Sequence, residues 1–238
     1  MRLNPQDCLF VLTGAGISAE SGLATFRGSG GLWDGHRVED VATPKAWQAD
    51  PSFVWGFYAA RRRHAMSARP NPAHLALARI EQQLGDRFYL CTQNVDDLHE
   101  QGGSRRLHHM HGSLFESRCV RCDVPFADRA LYESAPLPVC KDCGSLVRPH
   151  IVWFGEIPID MDGIYRELAR STILLVVGTS GSVYPAAGLV HVARQHGIRT
   201  LYVGPEEPSN ASAFDQIILG PATQRLPDLF DELPKERP

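Results

Sequence analysis

Several short apolar runs of the chain end in glycine or a small polar residue. They occupy residues 8–12, 88–91, 173–177, 198–203 and 216–219, and helix-like segments separate them. Runs of this length that are rich in Val, Ile and Leu are typical of strands covered on both faces. Their alternation with helices predicts an α/β fold built around a doubly wound parallel sheet.

Two segments interrupt this alternation. Residues 35–71 have a helical pattern in which several aromatic side chains lie close together, and residues 117–148 hold four cysteines and several prolines with little periodicity. The second segment is therefore expected to fold around a metal ion and not around an apolar core. We assign residues 1–34, 72–116 and 149–238 to the sheet domain, and the helical insert and the cysteine insert to a smaller domain.

Length and charge limit the class of protein. The chain has 238 residues, of which 43% are hydrophobic, and a formal net charge of −3, as expected of a globular protein. This weak negative charge does not gather polyanions, so no specific nucleic-acid partner is expected. The first residues lack a secretory signal pattern, and no apolar run is long enough to span a bilayer. We therefore expect a cytoplasmic protein without a membrane partner.

Four of the six cysteines form two C-x-x-C pairs with 17 residues between them. This spacing, in a reducing compartment, predicts one tetrahedral zinc site. Four thiolates leave zinc no position for water, so the ion is expected to be structural. Two disulfides, unused thiols or a DNA-binding zinc ribbon are the alternatives, and the balance of acidic and basic residues nearby disfavours the ribbon. The expected ligands are Cys119, Cys122, Cys140 and Cys143.

A glycine-rich turn follows the first apolar run. Its sequence from Thr13 to Ala19, TGAGISA, matches a G-x-G-x-x-A turn and helix start of the kind that holds a dinucleotide pyrophosphate. A turn used only for packing is the alternative for this motif alone. The loop that follows carries Phe26, Arg27 and Trp33 and could close over a nicotinamide and its phosphates, which favours cofactor binding.

Longer motifs cover nearly the whole chain. They are GAGISAESG at 14–22, TQNVDDLH at 92–99, HGSLF at 111–115, PHIVWFGE at 149–156 and GTS at 178–180. In this order, and with the two cysteine pairs, they resemble the sirtuins, a family of NAD-dependent protein-lysine deacylases. The resemblance implies a large Rossmann-like domain, a small domain made of a zinc module and a helical module, and NAD in the cleft between them.

The resemblance also implies which residues contact NAD. They lie in the glycine turn, in the loop after it, in the TQNVDD and GTS motifs and after the last two apolar runs. Past residue 203 the family usually has an Asn-containing turn, whereas this chain has GPEE, which puts the usual Asn contact in doubt. The implied contacts are Gly14, Ala15, Gly16, Ser18, Phe26, Arg27, Trp33, Gln93, Asn94, Asp96, Gly178, Thr179, Ser180, Gly204 and Ala222.

His111 matches the catalytic base of the family. In sirtuins the acyl oxygen of a modified lysine attacks the ribose carbon that bears nicotinamide, and a ribose hydroxyl then takes up the acyl group. NAD is therefore a consumed co-substrate. An imidazole has the ordinary pKa best placed to accept a proton near neutral pH. The segment implied to pair with an extended substrate peptide and to enclose the acyl-lysine contains Val152, Trp153, Phe154 and Gly155.

Tyr58 and Arg61 lie three residues apart in the helical insert, so they share one face if the segment is helical. Guanidinium offers a fork of donors suited to a carboxylate, and the phenol adds another donor. This Tyr-x-x-Arg pattern resembles that of the sirtuin subclass which removes succinyl and malonyl groups from lysine. The alternative is a solvated arginine face beside a packed aromatic, since Arg62 and Arg63 follow directly.

Three other functions remain open from the residues. The first is a deacetylase or ADP-ribosyltransferase without preference for acidic acyl groups. The second is an NAD-sensing interaction module without turnover, against which His111 argues because it is a usable base among cofactor and substrate motifs. The third is a Rossmann dehydrogenase, which is disfavoured because the acidic residue at the expected offset, Asp34, lies in the Gly-Trp loop. Acyl-lysine proteins are the expected partners, and a monomer is the favoured oligomeric state.

Overall fold

The computed structural model describes residues 3–25, 32–33, 35–133 and 136–231. Its strands are β1 (Leu9–Thr13), β2 (Leu32–Trp33), β3 (His36–Arg37), β4 (Phe88–Thr92), β5 (Leu107–His109), β6 (Gly112–Cys119), β7 (Pro125–Ala127), β8 (Val147–Ile151), β9 (Ile173–Val177), β10 (Arg199–Gly204) and β11 (Gln216–Leu219). Its α-helices are α1 (Val38–Val41), α2 (Pro44–Ala49), α3 (Pro51–Ser67), α4 (Pro72–Leu84), α5 (Leu98–Gln101), α6 (Met161–Ala169), α7 (Leu189–Gln195) and α8 (Ala222–Asp231). In the described ranges, no helix combines the length and the apolar character needed to cross a bilayer.

Parallel pairing joins strands of the described residues into one sheet with the order β11-β10-β9-β1-β4-β5. Strand β1 pairs with β4 on one side and with β9 on the other. The predicted doubly wound parallel sheet is therefore confirmed. Because the strand order runs outward in both directions from β1, a crevice opens at the carboxyl ends of β1 and β9, which is where this fold class binds ligands.

Alternate residues of β1 face opposite sides of the sheet. Leu9 and Val11 pack with apolar residues of α4 and α8, whereas Phe10 and Leu12 pack with those of α6 and α7. Each of the four is fully buried, and burying one such side chain stabilises the folded state by about 1.5–3 kcal/mol. Helices on both faces explain why the central strands carry wholly apolar sequences.

The helical insert and the cysteine insert pack against each other in a second core. Asp50 caps helix α3: its carboxylate accepts a hydrogen bond from the Phe53 backbone N–H, and Pro51 is the first residue of the helix. Val54 and Trp55 of this helix pack with Val147 of β8, and the Trp55 indole N–H donates to the Val147 carbonyl at 2.9 Å. Strands β7, β6 and β8 pair antiparallel in that order.

Arg62 connects α3 to the cysteine insert from inside this second core. Its side chain is fully buried, and its guanidinium donates to the Ser117 hydroxyl at 2.9 Å and to the Asp128 carboxylate at 3.2 Å. It also donates to the carbonyls of Leu114 and Ala130. A guanidinium is tolerated in a core only when it is paired and hydrogen-bonded. The alternative of a solvated arginine face is therefore wrong for Arg62.

Candidate active site

The glycine turn packs β1 directly against the end of β9. The Gly14 amide donates to the last carbonyl of β9 at 2.9 Å, and the Gly16 amide donates to the Gly178 carbonyl at 2.8 Å. A Cβ on Gly16 would lie 2.6 Å from that carbonyl oxygen, so only glycine fits. After the turn, Ala15–Ile17 and Ala19–Ser21 are short 3-10 helices, and Gly22 in the left-handed conformation ends the second one. The predicted helix start is therefore two 3-10 turns and not an α-helix, and backbone amides are the groups that can meet a phosphate here.

A buried polar network beneath this turn brings together predicted residues of two motifs. The Asn94 side-chain amide donates to the Ser18 hydroxyl at 3.1 Å, and Asp96 is hydrogen-bonded to the same serine. His74 Nε2 lies 3.4 Å from the Ser18 hydroxyl. The Asn71 side-chain amide donates to the Ile17 carbonyl at 2.8 Å. Neither His74 nor Asn71 was predicted as a site residue from the sequence. Their signal was an Asn-Pro helix start with His at the third position, which here forms a capping box.

Burial controls the protonation of this network. It lowers the pKa of His74 to about 4 and the pKa of His99 well below its ordinary value, and the two rings lie 4.9 Å apart. It also raises the pKa of Asp96, against the hydrogen bonds from Leu98 and Ser18. Both imidazoles are therefore neutral at physiological pH, and each can accept as well as donate a hydrogen bond.

The backbone orients the ring of His111. Its Nδ1 lies 3.1 Å from the Gln93 carbonyl, and because a carbonyl only accepts, Nδ1 carries the proton. The lone pair is then at Nε2, where a base takes up a proton. Burial lowers the pKa of His111, although the bond to Gln93 opposes this shift. The imidazole is consequently neutral down to a lower pH than that of an exposed histidine.

Gln93 also supplies a donor beside this imidazole. Its Nε2 is buried and has no hydrogen-bond partner among the described residues. An unsatisfied buried amide costs about 1–3 kcal/mol, so a ligand carbonyl or hydroxyl is the expected acceptor. The carboxamide and ribose of NAD carry such groups, and the crevice between β1 and β9 suits its phosphates. The residues present therefore fit NAD.

The far end of the crevice is formed by the turns after β9, β10 and β11. Gly178, Thr179 and Ser180 follow β9, and the Tyr202 hydroxyl donates to the Thr179 carbonyl at 3.1 Å. A Cβ on Gly204 would overlap that hydroxyl, so this glycine makes room for the tyrosine. The Ala222 side chain is buried in the core between α4 and α8, which leaves only its backbone for a ligand.

The predicted peptide-binding segment runs past His111. The Val152 amide donates to the His111 carbonyl at 2.9 Å, and the Phe154 amide donates to a carbonyl after α1 at 3.0 Å. The Trp153 amide donates to the Glu156 carboxylate at 2.8 Å. These three amides are used inside the protein, so a peptide that pairs with this segment must use its carbonyls or the amide of Gly155.

Tyr58 and Arg61 lie on one face of α3, which is helical as expected. Tyr58 is fully buried, and its hydroxyl accepts a hydrogen bond from the Trp153 indole N–H at 3.0 Å. Burial raises the pKa of Tyr58, while the hydrogen bond and the charge of Arg61 oppose the shift. Trp33, predicted on the cofactor side, packs edge-on against the Tyr58 ring and lies 4.1 Å under the Arg61 guanidinium. Trp33, Tyr58 and Arg61 thus form one wall beside the predicted substrate segment, which we call the acyl wall.

Some predicted residues fall outside the part of the chain that the structure describes. Phe26 and Arg27, expected in the mobile cofactor loop, are among them, and so is Asp34. Trp33, which belongs to the same predicted loop, is described and lies in the acyl wall.

The Sγ atoms of the four paired cysteines lie within 4.8 Å of one another. Those of Cys119 and Cys122 are each 3.5 Å from the Sγ of Cys143. A disulfide requires about 2.05 Å, whereas Zn–S bonds of about 2.3 Å place tetrahedral sulfurs roughly 3.8 Å apart. The separations therefore fit zinc and exclude disulfides between these pairs. With Cys140 as the fourth thiolate, the ion would be closed to water and would serve as a structural link.

A sequence model of the Sir2 family matches residues 14–185. The chain belongs to the Sir2 family. An NAD-dependent protein deacylase of Salmonella typhimurium is 46% identical over 99% of this chain and 86% of its own length. One of Caulobacter vibrioides is 48% identical over 94% of this chain and 96% of its own. A solved Sir2 homologue–NAD complex has 43% identity and a TM-score of 0.87, covering 94% of this chain and 88% of that one.

The Sir2 assignment confirms several predictions at once. The sirtuin resemblance is correct, and the protein is an NAD-dependent enzyme. The predicted fold class is also confirmed, since the chain shares the fold of solved Sir2 homologues and its own four cysteines form a cluster that fits zinc. A Sir2 complex with a p53 peptide and NAD has a TM-score of 0.81 at 29% identity, covering 94% of this chain and 92% of that one. The contacts of individual residues with NAD and with peptide stay predictions.

Proposed function

We propose that this Sir2 protein is an NAD-dependent protein-lysine deacylase that removes succinyl and malonyl groups in preference to acetyl groups. The family and the named activity of the relatives support NAD-dependent protein deacylation. The acidic preference is supported by one observation, the buried phenol of Tyr58 with the guanidinium of Arg61 on the same face of α3. A carboxylate on the acyl chain can use this cation and this O–H donor, and an acetyl group carries no carboxylate to do so.

The described residues divide the work of the reaction. Bound NAD supplies an electrophilic ribose carbon whose leaving group is nicotinamide. His111 accepts a hydroxyl proton at Nε2, since the Gln93 carbonyl holds the other ring proton at Nδ1. The buried Gln93 amide binds a polar group of the cofactor beside the base. Both roles use atoms that have no hydrogen-bond partner among the residues that the structure describes: Nε2 of His111 is free to accept a proton, and Nε2 of Gln93 is free to donate a hydrogen bond.

A two-residue bridge connects the base to the acyl wall. Val152 is bonded through its amide to the His111 carbonyl, and the next residue, Trp153, is bonded through its indole to Tyr58. An acyl-lysine that reaches His111 therefore lies beside a segment that also touches the acyl wall. This continuity supports a role for Tyr58 and Arg61 at the acyl group and not at a remote surface.

The test compares matched acetyl-, malonyl- and succinyl-lysine peptides, each incubated with NAD and the full chain, by nicotinamide release and by mass loss of the peptide. We expect a higher kcat/KM for the two acidic groups. Arg61→Met should lower the ratio of succinyl to acetyl kcat/KM by about 10- to 100-fold, the range of a lost hydrogen bond to a charge. Arg63→Met is the matched control, because Arg63 is half-exposed on the same helix and pairs with Glu133; its ratio should not change.

Three outcomes would contradict parts of the proposal. No NAD-dependent loss of any acyl group would reject deacylation. Nicotinamide release without acyl loss from the peptide would favour ADP-ribosyl transfer. An unchanged ratio in Arg61→Met would make that arginine structural and would remove the basis for an acidic preference.

A further inference from the structure

We infer that Trp153 is a specificity-determining positioning residue, whose indole N–H directs the single proton of the Tyr58 hydroxyl toward the acyl group. The inference rests on the proposed acidic-acyl preference. The two side chains come from segments 95 residues apart, and the Trp153 Nε1 to Tyr58 Oη distance is 3.0 Å. Both side chains are fully buried. This role is separate from the predicted backbone pairing of the same segment with a peptide.

Hydrogen-bond accounting fixes the direction of the phenolic proton. An indole N–H can only donate, whereas a phenolic oxygen accepts through its lone pairs and donates its one proton. Because Trp153 occupies the acceptor side of the Tyr58 oxygen, the phenolic proton points away from the indole. Burial raises the pKa of Tyr58 and so keeps that proton in place at physiological pH. Tyr58 is thereby set up as a donor, which is what a carboxylate requires.

Trp153 is itself held rigidly. The Arg148 guanidinium carbon lies 3.3 Å from the centre of an indole ring, and Arg148 pairs with Glu156 at 2.7 Å. The same carboxylate accepts the Trp153 backbone N–H at 2.8 Å. The Trp47 ring lies 5.8 Å from the indole. A donor fixed at both backbone and ring loses little entropy when it orients the phenol.

The protein contains a natural comparison for this bond. Trp55 is also fully buried, and its indole donates at 2.9 Å to the Val147 carbonyl inside the second core. Loss of either indole N–H leaves one buried acceptor unsatisfied, so both losses should destabilise the protein. Only the Trp153 bond reaches a residue of the acyl wall. Stability and acyl selectivity can therefore be separated.

The test measures kcat and KM for succinyl- and acetyl-lysine peptides in Trp153→Phe and Trp55→Phe, with thermal unfolding of each. For Trp153→Phe we expect the succinyl-to-acetyl ratio of kcat/KM to fall about three- to tenfold, mainly through a higher KM for the succinyl peptide. Trp55→Phe should lower the unfolding temperature and leave the ratio unchanged. Replacement of Trp153 by 3-benzothienylalanine, which keeps the ring shape and lacks the N–H, gives the same expected fall without a change in packing.

The decisive experiment repeats the Trp153→Phe substitution in a protein that already carries Tyr58→Phe. Once the hydroxyl is absent, Trp153→Phe should produce no further fall in the ratio; a further fall would overturn the inference. A wild type that prefers succinyl, together with an unchanged ratio in both Trp153 variants, would overturn the positioning role and leave the proposed function standing. A wild type without acidic preference would overturn the proposed function and the inference with it.

Discussion

The NAD side and the acyl side of the candidate site differ in the groups that form them. On the NAD side, backbone amides and carbonyls of the glycine turn meet the end of β9, and Gly16 has no room for a side chain. On the acyl side, the contacts of Tyr58, Arg61 and Trp153 are made by side chains from distant segments. Backbone packing tolerates little substitution, whereas a wall of side chains changes with every residue. The first half therefore suits a ligand common to a family, and the second suits selection among acyl groups.

The predicted base, His111, lies between the two halves, so its loss should lower activity equally toward both kinds of acyl peptide. His111→Gln is expected to lower kcat/KM by about 10²- to 10⁴-fold for succinyl- and acetyl-lysine peptides alike, because the basic Nε2 is removed. Nicotinamide release measures the loss, with His191→Gln on an exposed position of α7 as the control. A loss confined to one acyl group would break the comparison by placing His111 within the acyl wall.

The buried network of the NAD side should make folding sensitive to acid. Burial lowers the pKa of His74 from 6.5 to about 4, so between these pH values the unfolded chain binds a proton that the folded chain does not. The free energy of unfolding should therefore fall as the pH drops through this window, by roughly 3 kcal/mol from His74, and level off below it.

Denaturant titrations at several pH values measure this fall. In His74→Gln the curve should be flatter, and Gln at the third helical position preserves the capping box with Asn71. His191→Gln should retain the wild-type slope. Identical slopes for wild type and His74→Gln would show that the acid sensitivity comes from other groups.

Two glycine-to-alanine substitutions should have opposite effects on the stability of the protein, one in the glycine turn on the NAD side and one in α3 on the acyl side. Gly16→Ala places a Cβ 2.6 Å from the Gly178 carbonyl, and we expect a loss of about 1–3 kcal/mol and a higher KM for NAD at an unchanged acyl ratio. Gly56→Ala on α3 meets no atom within 4 Å among the described residues, and it should stabilise the helix by about 0.5–1 kcal/mol. Thermal unfolding and NAD kinetics test both variants. A changed succinyl-to-acetyl ratio of kcat/KM in Gly16→Ala would show that the glycine turn also affects acyl selection.

The central strands were predictable because burial on both faces leaves a local record. The predicted run 173–177 coincides with β9, and the predicted run 8–12 overlaps β1 with a shift of one residue. Strands β5 and β6 were missed, since β5 is an edge strand of three residues and β6 alternates buried and half-buried positions with polar residues. Their pairing partners, and not their own sequences, make them strands.

In the candidate site, too, residues in local motifs were predicted, and residues that depend on distant partners were not. Ser18, Asn94 and Asp96 were predicted from their motifs, and the structure places them in one hydrogen-bonded network. His74 completes that network from a helix whose sequence carries no cofactor motif. The alternative interpretation of α3 placed Arg62 on a solvated face, whereas Arg62 is buried and is hydrogen-bonded to Ser117 and Asp128.

The sequence by itself determined the family, the glycine turn and the cluster of four cysteines that fits zinc, because each depends on residue types at short, fixed spacing. Only the tertiary structure decided that the Trp153 indole binds the Tyr58 hydroxyl, that His74 is neutral beneath the turn and that Arg62 is inside the protein. These properties depend on which distant side chains meet and how much water they exclude. A local pattern holds no record of either quantity.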